Sequence, residues 1–298
     1  MAATFMGAVL AGCGGSTDDA PASASVPGEI TVPVSAATVE LVDAGAEPRS
    51  PISYTLSPGT TQRTTFTSEA KVSQQIDIQN VQDFSSPEIT LTLDSQIRDN
   101  TDDAEAAIVD FTIADASSPN EPLNSALENS HGSGAGLTIQ PNGSVTALRL
   151  RPADAATDLA RSAIEQALHQ SVYRTVVFPT QPVGIGAQWT VRQQVVSGIA
   201  LEQTMTVTLV ERDGDRVTVE YTLTQAPKTD TWVLPQEAGT LQIKQYETVG
   251  TGRAVVDLGQ PLPLDGDASI AGEQLYTDPD GVAALRQTTN NTVRWENK

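Results

Sequence analysis

Between Arg63 and Ile78 the side chains alternate. Thr64, Phe66, Ser68, Ala70, Val72, Ile76 and Ile78 hold the even positions, and Arg63, Thr65, Thr67, Glu69, Lys71, Ser73 and Asp77 hold the odd ones. A period of two is the mark of a β-strand with one apolar and one wet face. On a helix the same residues would point all round the circumference and bury nothing. An alternation of fifteen residues, Thr64 to Ile78, is far longer than the usual strand of about five or six. A strand of that length needs partners of similar length. The run therefore commits the chain to a large, curved antiparallel sheet.

The same pattern returns along the chain. Ile89, Leu91, Leu93 and Ile97 alternate, as do Ala107, Val109, Phe111 and Ile113. Later come Met205, Val207 and Leu209, then Val217, Val219, Tyr221 and Leu223, then Ala254, Val256 and Leu258. Pro141-Asn142-Gly143, Asp213-Gly214 and Asp278-Pro279-Asp280-Gly281 are turn signals that join such runs as hairpins. Residues 268–277 and 283–295 read as closing strands, and 115–136 as a long polar connection. One stretch has a different period. From a cap at Asp154 to about Tyr173, Ala160, Ala163, Ile164, Ala167, Leu168, Ser171 and Val172 share one face, and Asp158, Arg161, Glu165 and His169 share the other. The expected class is mainly β (α+β): a large curved antiparallel sheet or half-barrel with one long amphipathic helix at about 154–173. Trp189, Trp232 and Trp295 are expected to anchor the core.

Charge narrows the partners. The chain has 17 basic and 37 acidic residues, a net charge of −20. Such a surface repels nucleic acid, whose binding rests on Lys and Arg contacts to phosphate. One cysteine and two histidines leave too few ligands for a zinc centre and allow no internal disulfide. His131-Gly132-Ser133-Gly134 lacks the G-x-S-x-G setting of a nucleophilic serine. Asp99, Asn100, Asp102 and Asp103 cluster in one turn without the spacing of a calcium loop. The expectation is a non-enzymatic protein with no cofactor and no metal.

The one cysteine has a setting of its own. Leu10-Ala11-Gly12-Cys13 follows a short apolar run, Phe5 to Leu10, and precedes a Pro-, Ser- and Ala-rich segment. It resembles the lipobox of bacterial lipoproteins, in which a branched apolar residue and two small residues precede a cysteine that becomes acylated. The resemblance implies a chain anchored in the cell membrane through Cys13 and facing the extracytoplasmic side. Residues 1–12 then read as a signal peptide, truncated because no Lys or Arg precedes the apolar run. Residues 13–50 read as a lipid-anchored flexible linker, with Val39-Glu40-Leu41-Val42 as a short strand at most. Residues 51–298 read as the antiparallel β domain.

Element order and strand character together also resemble the half-barrel lipid carriers of bacterial envelopes, the LolA, LppX and LprG lipoproteins. That resemblance implies an apolar hollow between helix and sheet for acyl chains or another hydrophobic, lipid-like small molecule. On this sequence the lining would be Phe66, Val72, Ile76, Leu91, Phe111, Ile164 and Leu168. The alternative is a surface-displayed structural or protein-interaction module in which the same residues pack a solid core.

Overall fold

Every strand among the described residues joins one antiparallel sheet. The computed structural model describes residues 28–99, 105–234 and 239–297. Cys13, the signal peptide at 1–12 and the turn residues Asn100, Asp102 and Asp103 lie outside the described residues.

The first half holds β1 (Ile30–Pro33), β2 (Thr38–Asp43), β3 (Thr61–Ile76), β4 (Gln82–Asp83), β5 (Ser86–Arg98), β6 (Ala107–Ser117), β7 (Gly134–Ile139) and β8 (Val145–Arg151). The helix α1 (Glu121–Leu127) lies between β6 and β7, and α2 (Asp158–Val172) follows β8. The second half holds β9 (Gln188–Ser197), β10 (Ile199–Asp213), β11 (Arg216–Pro227), β12 (Thr231–Val233), β13 (Thr240–Asp257), β14 (Asp265–Thr277) and β15 (Ala284–Asn297). Neighbours run β1-β8-β7-β6-β5-β3-β15-β14-β13-β11-β10-β9-β2, with β12 appended to β13 and β4 to β3. The alternating run at 63–78 sits at the centre as β3, between β5 and β15.

The two edges of this sheet are consecutive strands. β1 pairs with β8, from Ile30 opposite Leu150 to Pro33 opposite Ala147. β2 pairs with β9, from Thr38 opposite Arg192 to Asp43 opposite Gln188. Thirteen flat neighbouring strands would hold their edges roughly 57 Å apart at about 4.8 Å per strand. The five peptide steps from Pro33 to Thr38 reach at most about 18 Å. The sheet therefore curls until its edges nearly meet, although β1 and β2 share no ladder. Residues 30–43 act as one seam, spending their first half on β8 and their second on β9. Two bonds hold the crossover: Val34 N donates to Thr146 O (3.0 Å), and Gln193 Nε2 donates to Ser35 O (2.7 Å).

These strands correct the reading of 13–50 as a flexible linker and of Pro51 as the start of the domain. Pairing is already under way at Ile30. The physical reason is that each seam strand is short and half-exposed, so its stability comes from partners more than a hundred residues away. The short strand at 39–42 is present as the centre of β2.

The helix is narrower than the expected 154–173. Thr157, and not Asp154, caps α2: its Oγ1 accepts from Ala160 N (3.2 Å). Ala160, Ile164, Ala167, Leu168, Ser171 and Val172 form its buried side. Among the described residues there are two helices where one was expected. The connection at 115–136 contains α1, capped by Asn120 Oδ1 on Leu123 N (3.1 Å), with Pro122 in the first turn. Gly134 already belongs to β7.

The apolar alternation also ends two residues early. Ile76 is the last residue of β3, Asp77 takes a positive φ of 50°, and Ile78 is 97% exposed. The left-handed turn at Asp77 swings the next side chain out of the core.

Candidate functional site

The interior is where the half-barrel resemblance puts a ligand. The inner faces of the sheet and the buried side of α2 form one continuous apolar cluster. Small residues let the helix sit close: Ser68 and Ala70 of β3 lie beneath it. Ser68 Oγ donates to Gln170 Oε1 (3.2 Å), and Ser86 Oγ donates to Gln166 Oε1 (3.1 Å), tying α2 to β3 and β5.

The seven predicted lining residues separate into three groups. Phe66 and Leu91 are fully buried side by side on adjacent strands, and the Phe66 ring packs on Trp295 at 4.3 Å between centroids. They are wall, filled on every side. Phe111, Ile164 and Leu168 are buried, and Phe111 and Leu168 do face a common hollow. Val72 and Ile76 are only half-buried, toward the far end of β3. The structure thus brings two of the seven to one cavity.

That cavity is small. Its volume is about 40 Å³, room for a few water molecules against the roughly 300–1,000 Å³ of a usual ligand pocket. Large side chains supply the filling. Tyr221 lies flat over Gly252 of the neighbouring strand, where any Cβ would collide with its ring. Trp189 is fully buried, with Nε1 donating to Val177 O (2.8 Å) and its ring against Phe178. Trp295 is also core. Trp232 is only half-buried and packs on Tyr276 at the other end of the sheet.

Arg174, Arg253 and Asp267 all line the cavity, and periodicity gave no sign of Arg174. Arg174 follows the last turn of α2, and its Nη1 donates to Gln203 Oε1 (2.8 Å) and to Tyr173 O (3.3 Å). Gln203 Nε2 donates to the same Tyr173 carbonyl (3.0 Å), and Gln225 Nε2 donates to Gln203 Oε1 (3.0 Å). Among the described residues no carboxylate forms an ion pair with Arg174. Burial pulls its guanidinium below the ordinary value, with Tyr221 opposing. Burial likewise pushes the Tyr221 phenol up to about 12, Arg174 holding it back. A cation at a helix C-terminus answers the negative end of the dipole, so this cluster closes α2 from below. Its sequence signal was three isolated polar residues, Arg174, Gln203 and Gln225, two of them on the core side of alternating strands.

The other motifs do not assemble into a catalytic group. Ser133 is buried, and its Oγ accepts from Ala153 N (3.0 Å); the exposed His131 makes no hydrogen bond to it. His169 stands on α2 edge-on to Tyr173 at 5.1 Å, and burial holds its pKa below the usual value. Beside it Glu165 is held above the usual carboxylate range by burial, Arg161 opposing. Among the described residues, no three metal-ligating side chains converge, and no helix is long and apolar enough to cross a membrane. Two hollows open on the surface. One, of about 620 Å³, lies between Tyr54–Pro58 and the ends of β5, β6 and β7. The other, of about 460 Å³, lies beside α1 and His131.

No protein-family model matches the chain, and no curated protein matches it either.

Proposed function

We propose that this chain is an envelope lipoprotein, anchored in the membrane by acylated Cys13, whose β domain is non-enzymatic and works through its outer surface as a structural or interaction module. The observation that carries the second part is the filled interior. A curled sheet with α2 against its inner face is the half-barrel arrangement of the envelope carriers. Here the space between helix and sheet measures only about 40 Å³, and Phe66, Leu91 and Trp295 pack one another. The first part rests on Leu10-Ala11-Gly12-Cys13 and on the single cysteine of the chain.

A second reading, carriage of a hydrophobic ligand, is favoured by Phe111 and Leu168 sharing a cavity with the Arg174 cation. It requires the interior to open by several hundred Å³. Native mass spectrometry of protein purified from membranes separates the two. The module reading expects the mass of the acylated chain alone. A co-purifying lipid that survives gentle desolvation overturns it in favour of the carrier.

The anchor has its own test. In cell fractionation, Cys13→Ala is expected to move the protein from the membrane pellet to the soluble fraction, because two or three acyl chains hold firmly where none can. Unchanged membrane retention would refute the anchor.

A further inference from the structure

A solid apolar core has no use for the Arg174 cation. A guanidinium carries five N–H donors, and Nη1 gives its own to Gln203 Oε1 (2.8 Å) and the Tyr173 carbonyl (3.3 Å). Among the described residues nothing accepts from Nε or Nη2, yet both atoms keep accessible surface. Since Arg174 lines the cavity, that surface faces it. Nε and Nη2 form the side-on edge of the group, the fork that matches the two oxygens of a carboxylate.

Two more donors line the same cavity. The hydroxyls of Tyr221 and Tyr54 have no hydrogen-bond partner among the described residues, and both keep accessible surface. The Tyr221 phenol lies close enough to feel the Arg174 charge.

The neighbours supply little negative charge. Among the described residues no carboxylate pairs with Arg174, and the end of α2 offers at most about half a charge. Arg253 and Asp267 also line the cavity. Both are exposed, where water screens them, and Arg253 is ion-paired with Asp265 (3.4 Å). A buried cation is costly unless the opposite charge stands beside it. Volume sets the size of the group that can do so. A cavity of about 40 Å³ holds about three non-hydrogen atoms, at roughly 10–15 Å³ for each.

We propose that the Nε–Nη2 edge of Arg174 seats the carboxylate of a small acid about the size of formate, with the Tyr221 hydroxyl as a further donor. The planar fork selects a carboxylate over a halide, and the volume selects against longer acids. The proposal is independent of Cys13 and of the role given to the outer surface, because the seat lies inside the sheet.

Thermal unfolding of the full chain, dialysed free of small acids, tests it. Sodium formate is titrated at neutral pH against sodium chloride of equal ionic strength. A ligand that binds only the folded state raises Tm. Formate is expected to raise it by a few degrees with a saturating dependence, and chloride is not. No rise, or an equal rise with both salts, overturns the proposal. Arg174→Lys keeps the charge and loses the fork, so the formate midpoint should move up roughly tenfold. Tyr221→Phe keeps the ring over Gly252 and should move it several-fold. If either folded variant keeps the wild-type midpoint, formate binds elsewhere and the proposal fails. Sodium laurate at micromolar concentration is the third arm. A response to laurate stronger than that to formate overturns the size limit and supports carriage of a lipid instead.

Discussion

A chain begun at Ala44 is expected to lose cooperative folding, whereas one begun at Gly28 keeps the Tm of the full-length protein. The difference is the seam. Residues 30–43 cover the β8 edge with four register pairs and the β9 edge with five. They also bury Val34, with Val32, Val39 and Leu41 packed on the core. Without them both edges of a long sheet stand open, and the inner face is exposed along the cleft between β8 and β9. At about 1 kcal/mol for each net hydrogen bond, together with the apolar contacts, the loss is of the order of 5–10 kcal/mol. That equals the whole stability of an ordinary domain. Open edges also invite pairing between copies. Thermal circular dichroism with size-exclusion chromatography checks this: one sharp transition at the wild-type temperature for a monomer begun at Ala44 would refute it.

The second large effect belongs to Trp189. On β9 it stands opposite Leu41 of β2 and Val207 of β10, with its ring on Phe178 and its Nε1 on Val177 O. Trp189→Ala removes the largest fully buried side chain and leaves a carbonyl acceptor unpaired beside a cavity. The expected cost is about 4 kcal/mol, a fall in Tm of roughly 10 °C for a domain of this size. Trp232→Ala serves as the contrast. That ring is half-buried and its Nε1 has no hydrogen-bond partner, so its loss should cost well under half as much. Equal effects in parallel denaturant titrations would contradict this ranking.

The sheet was legible because its signal is local. Alternation over Thr64–Ile76 and the turns at Asn142-Gly143 and Asp213-Gly214 lie within a few residues of the strands they define. Gly143 and Gly214 take the positive φ their turns require. The helix announced itself by its period, although Thr157 took the cap from Asp154. α1 had a readable start, Asn120-Glu121-Pro122, lost in a polar stretch whose apolar residues are few. β1 was hidden for a different reason, and β2 showed only as the short run 39–42 with no partner named. Both are short and largely exposed, and their partners lie far along the chain at 147–150 and 188–192. The candidate site was legible only as a face. Period two told which side of β3, β5 and β6 is apolar. Whether that side meets a hollow or other side chains depends on how tightly the sheet curls, and the seam fixes that curl. Arg174, past the end of α2, belonged to no periodic run.

The seam also sets an order of events. Ile30 meets Leu150, and Thr38 meets Arg192, so the segment synthesised first must wait for strands made much later. Joining such distant segments is slow, because the entropy of closing a long loop is lost before any pairing repays it. The hairpins within each half can form as each pair of strands emerges, but the central ladder of β3 with β15, from Ile76 opposite Leu285 to Thr64 opposite Asn297, waits for the last strand of all. The molecule therefore passes through a stage in which hairpins are formed while the central β3–β15 joint and the margins at β8 and β9 are still bare. The exposure of β8 and β9 at that stage, more than the stability of the finished domain, is where a folding helper would act and where aggregation would begin.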